Sequence, residues 1–305
     1  MKSVAVVIPA YNAERSIVRA LDSVLSQTLP PSEIIVVDDG SVDGTAALVE
    51  SFGEKVRLIK QPNSGAAAAR NTGLAHASAS FIAFLDADDY WRPQKLEAQM
   101  QTFGRICDAS WCCCAGEVRD GDKTQSVQLS SGPEGLYDFF AEIAEGGFVQ
   151  TSGMVILRSV LDDLGGFDVS LRVCHDRDLW WRIAMRHPQI AFSPTVGYVY
   201  QVDTPDSLIK SSRNRTVELR NVCDRVTEAR RIKAPNLQPL ERLAERLARS
   251  YLNRWAGGEV EIESEVVFHA IDLFRLAALT RLRLHLLRNI PFRPIRVGLG
   301  RFASV

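Results

Sequence analysis

Three acidic groups hold the chemical potential of this chain. The first, Asp86-Ala87-Asp88, sets two carboxylates one residue apart directly after the apolar run FIAFL. Acid pairs at this spacing are often only solvated surface. At the end of a buried strand, however, an unpaired charge is costly, and two hard oxygen ligands on one face suit Mg²⁺ or Mn²⁺, which share their shell with substrate phosphates. The second, Asp38-Asp39, ends another apolar run, EIIVV. A carboxylate at Asp39 can accept a hydrogen bond from a nucleobase N–H, although Asp, Gly and Ser in this place equally favour an ordinary turn or helix N-cap. The third, His175-Asp176-Arg177-Asp178-Leu179-Trp180-Trp181-Arg182, follows Gly165-Gly166-Phe167 and falls at a helix start. Acids in a first turn complement the helix dipole without any catalytic duty. The adjacent tryptophans offer flat apolar faces to a sugar ring, or fill the core.

The surrounding pattern says what positions these groups. VAVVIPA (Val4 to Ala10) is a continuous β-branched run, as in a strand covered on both faces. Ile17, Ala20, Leu21, Val24 and Leu25 recur at the spacing of one buried helix face, which predicts a helix over roughly Glu14 to Gln27, ended by Pro30-Pro31. Strands are expected at Glu33 to Ser41, Val56 to Gln61 and Phe81 to Asp89. Between them fall a short helix starting near Asp43 or Thr45 and an Ala-rich helix from about Gly65 to His76. This alternation implies an α/β fold with a mainly parallel sheet, whose ligands bind beyond the carboxyl ends of its strands. Asp38, Asp39, Asp86, Asp88 and Asp89 all fall at such ends. From Cys107 to Phe148 the period weakens to strands and a loop. Then come a strand (SGMVILR), a helix, the His175 helix and a strand around Val196 to Gln201. After Ser211 the chain turns to Arg- and Glu-rich helical patterns, which places a boundary near residue 210.

Composition narrows the classes. A formal net charge of −1 over 305 residues gives no global field for nucleic acid. Cys112, Cys113 and Cys114 alternate across a strand, so they cannot converge on one metal and read as small apolar residues of a buried strand. No cysteine spacing forms a disulfide framework, as expected of a reducing cytoplasm. Neither a membrane-spanning run nor a secretory leader is legible, and Asn214-Arg215-Thr216 is then a chance sequon. No G-x-G-x-x-G follows the first strand, which argues against a dinucleotide. The loose match at Gly298 to Ala303 has no helix after it.

Five blocks, VVIPAYNAE, SVLSQTLPPSEIIVVDDGSVDGT, NSGAAAARNTGL, FIAFLDADDYWRPQKL and GGFDVSLRVCHDRDLWWRIA, stand in the order seen in family 2 inverting glycosyltransferases, which the chain resembles from Val4 to Ser211. The resemblance implies a GT-A fold. Residues 1–105 would bind a nucleotide sugar and 106–210 an acceptor, with 211–305 a helical C-terminal extension. It implies that Asp39 contacts the base, and that Pro9, Tyr11 and Glu14 line the nucleotide. Arg70 would lie beside the nucleotide, Asp86 and Ala87 near the ribose, and Asp88 would hold Mn²⁺ or Mg²⁺. Asp176 would be the catalytic base. A nucleoside diphosphate sugar, a UDP-sugar first, is the implied donor, and a glycan or lipid-linked glycan the implied acceptor. Two positions depart from the family. His175 stands where relatives carry Glu, and Tyr200-Gln201-Val202-Asp203 stands where many read Y-R-x-H, with Asp203 a substitute oxygen ligand or metal binding weaker.

The expected chemistry is one in-line displacement. Asp176 takes the proton of an acceptor hydroxyl attacking the anomeric carbon, and a cation at Asp88 offsets the charge on the departing diphosphate. The competing reading is a catalytically silent nucleotide-sugar-binding protein, supported by the altered Tyr200–Asp203 segment. From Ala270 to Val305 there are seven Arg against one Asp, interleaved with leucines. Such a segment either packs on the catalytic domain or on a second copy in a homodimer, or lies in the interface of an anionic membrane. The expected place is the cytoplasm, with the inner face of the membrane as the alternative.

Overall fold

The computed structural model describes residues 3–202 and 215–274. Asp203 and the basic, leucine-rich stretch from 275 onward lie outside the described residues, as does the boundary expected near residue 210.

The chain opens with β1 (Val4–Ala10), α1 (Ile17–Leu25), β2 (Glu33–Asp38), α2 (Thr45–Glu50), β3 (Arg57–Lys60), α3 (Ala66–His76) and β4 (Phe81–Phe84). It continues through β5 (Tyr90–Trp91), α4 (Lys95–Arg105), β6 (Trp111–Asp120), β7 (Lys123–Val127), β8 (Gly135–Asp138) and α5 (Phe139–Ala144). After these come β9 (Met154–Leu157), α6 (Arg158–Leu164), α7 (His175–Ala184), β10 (Gln189–Gln201), α8 (Thr216–Ile232), α9 (Leu237–Ala256) and α10 (Ser264–Leu273).

The strands form one 10-stranded sheet in the order β3-β2-β1-β4-β9-β6-β10-β5, with β7 beside β6 and β8 beside β10. The α/β class is therefore as expected, but the sheet is mixed rather than mainly parallel: among the described residues four strand pairings are parallel and five antiparallel. Strands β3, β2, β1 and β4 are mutually parallel. Beyond them β9 lies antiparallel between β4 and β6, and β6 and β10 are parallel to each other. The apolar runs of β1, β2 and β4 are buried on both faces because helices cover both sides of this half. Ile17, Ala20, Leu21 and Val24 form the buried stripe of α1, as their spacing predicts. Helix α3 approaches β1 closely through its small residues. A Cβ added at Gly73 would lie 2.3 Å from Val7 Cγ1, so only glycine fits there. Cys112, Cys113 and Cys114 lie buried in β6.

The described residues form two compact units. The first holds the sheet with its helices and also residues 224–244. In the second, Leu219, Cys223, Ala248, Leu252 and Val267 build a small core of their own. There the Glu263 N–H donates to Thr216 Oγ1 at 2.9 Å and Arg220 pairs with Glu263 at 2.8 Å. Among the described residues no helix is long and apolar enough to cross a membrane.

Candidate active site

The carboxyl ends of β1, β2 and β4 meet along one edge, and one guanidinium ties that edge to α7. Arg70, in the middle of α3, is only 5% exposed. Its Nη2 lies 2.5 Å from Asp86 Oδ1 and its Nη1 2.7 Å from His175 Nε2. The guanidinium sits over the Phe167 ring, 5.4 Å from the centroid. Asp86, just beyond β4, is thus brought to His175 and so to Asp176, the next residue of α7. These residues come from three separate blocks of sequence.

Asp88 is half-buried, and its backbone carbonyl accepts from Arg19 Nη2 at 2.7 Å. Its neighbour Asp89 has a different task. It is fully buried and receives Ser152 Oγ–H at 2.5 Å and the Gln201 N–H at 3.1 Å, fastening the D-x-D turn to β10. Burial, with the nearby charges of Asp86 and Asp88, pushes its carboxyl well above the usual range. Tyr200 also faces the cluster. Burial first, and then Asp89, Asp88, Asp86 and Asp176, push its phenol up to about 12. One tyrosine therefore feels acids from both the β4 end and α7. Among the described residues no group of three or more His, Cys, Asp or Glu could hold an ion by itself. A hard cation here would have to be bound through a single carboxylate and completed by substrate phosphates.

On the β2 side Asp39 is 3% exposed and collects three donors: Gln61 Nε2 at 2.7 Å, the Ser64 N–H at 2.9 Å and the Gly65 N–H at 2.7 Å. It orders the loop leading into α3, and a base N–H would have to share oxygens already engaged there. Asp38 Oδ1 accepts from the Ser41 N–H at 3.0 Å in a local turn, and Gly40, at φ +77°, sits where a Cβ would meet the Asn63 backbone. Glu14 is exposed and accepts from the Gly44 N–H at 2.9 Å, tying the segment after β1 to the start of α2. Pro9 is half-buried within β1, and Tyr11, 53% exposed, stands at its end.

The two acids of the α7 first turn separate. Asp176 is half-buried, and its Oδ1 accepts the N–H of Arg177 at 2.7 Å. Asp178 is core, 1% exposed, and pairs with Arg182 at 2.7 Å and Arg225 at 3.3 Å. Arg182 also donates to the Leu164 and Gly166 carbonyls, which fixes α7 to the Gly-Gly turn. Trp180 and Trp181 are 2% and 1% exposed, so the stacking of a sugar on them does not hold: they fill the core, as the other reading of the pair had it. Sequence reasoning treated His175 only as a departure and missed Ser152, Arg19 and Phe167. None of these lies in a polar pattern that marks it. Ala87 is 9% exposed and faces the core between its two acidic neighbours.

Comparison with known proteins fits this arrangement. The sequence model of glycosyl transferase family 2 matches residues 5–165. The chain is 39% identical over 150 residues to the succinoglycan biosynthesis protein ExoW of Rhizobium meliloti, covering 44% of this chain and 47% of that one. It is 46% identical over 99 residues to an Escherichia coli protein, the UDP-Glc:alpha-D-GlcNAc-diphosphoundecaprenol beta-1,3-glucosyltransferase WfgD, covering 32% of this chain and 39% of that one. An uncharacterized Nostoc glycosyltransferase is 36% identical, and the matched region spans 54% of its length. The chain thus spans about half the length of the curated relatives it matches. Among solved structures, S. aureus TarS 1-349 in complex with UDP-GlcNAc superposes with a TM-score of 0.73 at 18% identity, over 92% of this chain and 82% of that one. A Pyrobaculum calidifontis mannosyltransferase in complex with GDP-Man and Mn²⁺ gives 0.58 at 22% identity, over 97% and 82%. These likenesses establish the fold as GT-A. With the family model matching more than half of its length, the chain belongs to glycosyltransferase family 2.

Proposed function

We propose that this chain transfers a sugar from a nucleoside diphosphate to a hydroxyl of a glycan or lipid-linked glycan, inverting the anomeric centre. The observation that carries the reading is the junction at Arg70, which brings Asp86 at the β4 end within two hydrogen bonds of the helix start bearing Asp176. Residues 1–105 bind the donor. Asp39 meets the base, with Pro9, Tyr11, Glu14 and Arg70 beside the nucleotide, and Asp86 and Ala87 lie near the ribose. Residues 106–210 receive the acceptor. Asp176 takes the proton from the attacking hydroxyl, and its place outside the core leaves it reachable by an acceptor. Asp88 would hold Mn²⁺ or Mg²⁺, which supplies the positive charge that a departing diphosphate needs. A leaving group that stable requires no protonating acid, which distinguishes this chemistry from glycoside hydrolysis.

UDP-sugars are the first donors to test, since WfgD is named for UDP-Glc and TarS was solved with UDP-GlcNAc. Thermal shift with a panel of nucleotide sugars, with and without Mn²⁺, checks the reading. A donor at about a hundred times its Kd adds roughly 2.7 kcal/mol, or about 5–10 °C in a domain of this size. The expected result is a shift for one class of donor that needs Mn²⁺ in the native chain and is lost in Asp88→Ala. Equal shifts with and without the ion, or an unaltered ion effect in the variant, would remove Asp88 from the cation site.

A further inference from the structure

His175 opens α7 and reaches across to α3, 105 residues earlier in the chain. A guanidinium offers only donors. With Arg70 Nη1 at 2.7 Å, Nε2 must therefore be the acceptor, and the ring is neutral with its proton on Nδ1. The other terminal nitrogen of the same guanidinium holds Asp86 at 2.5 Å. Phe167 supports both partners, its ring 5.4 Å from the guanidinium and 6.0 Å, edge to face, from the imidazole. A carboxylate at position 175 would bind Arg70 too, but it would compete with Asp86 for the one positive charge. An imidazole holds the arginine while leaving that charge to Asp86.

We propose that His175 is a positioning residue: its neutral imidazole holds Arg70 on Asp86 and so fixes the helix end that carries Asp176 against the strand end that carries the D-x-D acids. The proposal rests on the glycosyl-transfer reading above for the roles of Asp86 and Asp176. The groups facing the ring are Arg70 from α3, Asp86 from the β4 end, Asp176 from α7 itself and the Leu171 carbonyl from the preceding loop, although the buried Nδ1 makes no hydrogen bond of good geometry among the described residues. Protonating the ring removes the lone pair that Arg70 uses and brings two cations to hydrogen-bond distance. Burial and then Arg70 hold the imidazole below its ordinary range, against the pull of Asp176 and Asp86. The junction is thus intact at neutral pH and opens on acidification below the ordinary imidazole range.

The test compares the native chain with His175→Gln and His175→Leu, reading nucleoside diphosphate release from a donor sugar from about pH 8 down to the lowest pH at which all three stay folded. Glutamine can accept from Arg70 and does not titrate. It should keep turnover within a few-fold at neutral pH and move the acid limb of the native chain to lower pH, leaving the loss that follows from protonating the catalytic base itself. Leucine leaves a buried charged donor without its acceptor and should lower turnover by about tenfold to a hundredfold. An identical acid limb in the glutamine variant, or leucine performing as well as glutamine, overturns the proposal. Imidazole ¹⁵N shifts of the native chain without donor give an answer that needs neither variant nor turnover. The expected state at neutral pH is the neutral ring with its proton on Nδ1, and a cationic ring there also overturns the proposal. Failure of the native chain to bind or turn over any nucleotide sugar would instead sink the glycosyl-transfer reading, with the ¹⁵N result still deciding the state of His175.

Discussion

Replacing each acid of the α7 first turn by asparagine should separate a structural acid from a chemical one. Asp178 is 1% exposed and neutralises two guanidiniums, Arg182 at 2.7 Å and Arg225 at 3.3 Å. Removing one partner of a buried ion pair costs about 3–5 kcal/mol. Here Arg182 keeps the Leu164 and Gly166 carbonyls, Arg225 keeps Glu228, and the amide retains one accepting oxygen, so the low end applies. Asp178→Asn should therefore lose about 3 kcal/mol, which lowers the melting midpoint by about 6–12 °C in a domain of this size. Asp176→Asn should move stability by no more than about 1 kcal/mol, the worth of a first-turn acid near a helix dipole. Urea unfolding of both variants measures the difference, and nucleoside diphosphate release at a temperature where both are folded shows whether turnover follows the opposite order. A native midpoint for Asp178→Asn, or equal destabilisation by the two variants, would refute the division of roles.

Two further variants test the account away from that turn. Lys95 is fully buried over the Trp91 ring, its Nζ 4.0 Å from the centroid and without a hydrogen-bond partner among the described residues, and burial lowers its pKa to about 8. The folded state then releases this proton before the unfolded state does, so stability should rise with pH from about 8 to 10.5, and Lys95→Met should abolish that rise while stabilising the fold by roughly 1–3 kcal/mol at neutral pH, read by denaturation across pH. Asp39→Ala removes the acceptor of the Ser64 and Gly65 N–H groups, so hydrogen exchange at those two amides should accelerate at least tenfold while nucleotide affinity falls; unchanged protection would show that the loop does not depend on Asp39.

Much of the donor half is legible in the sequence because its signals are local. The runs of β1, β2 and β4 are apolar and β-branched, and the α1 stripe has helical spacing, so each element declares itself within a dozen residues. The acceptor half is harder to read because its elements are defined by distant partners. β9 is a four-residue strand whose antiparallel place between β4 and β6 no local pattern encodes. β10 starts at Gln189, well before the strand expected around Val196, because Ser193-Pro194-Thr195 reads as a break; in the fold the pairing with β6 is irregular there, where a strand tolerates proline. The site divides in the same way. That D-x-D ends a buried strand is visible from its flanks. That Asp178 belongs to the core and Asp176 to its edge depends on Arg225 and on the Gly-Gly turn, and that His175 binds Arg70 depends on a contact spanning the chain.

The most direct test of the central claim is donor turnover by Asp176→Asn, with donor affinity measured on the same sample. The amide keeps the shape of the side chain but cannot take the acceptor's proton, so nucleoside diphosphate release should fall by on the order of a hundredfold or more while donor affinity stays near that of the native chain. Turnover within a few-fold of native at unchanged affinity would contradict the assignment of Asp176 as the base, and with it the mechanism built on the Arg70 junction.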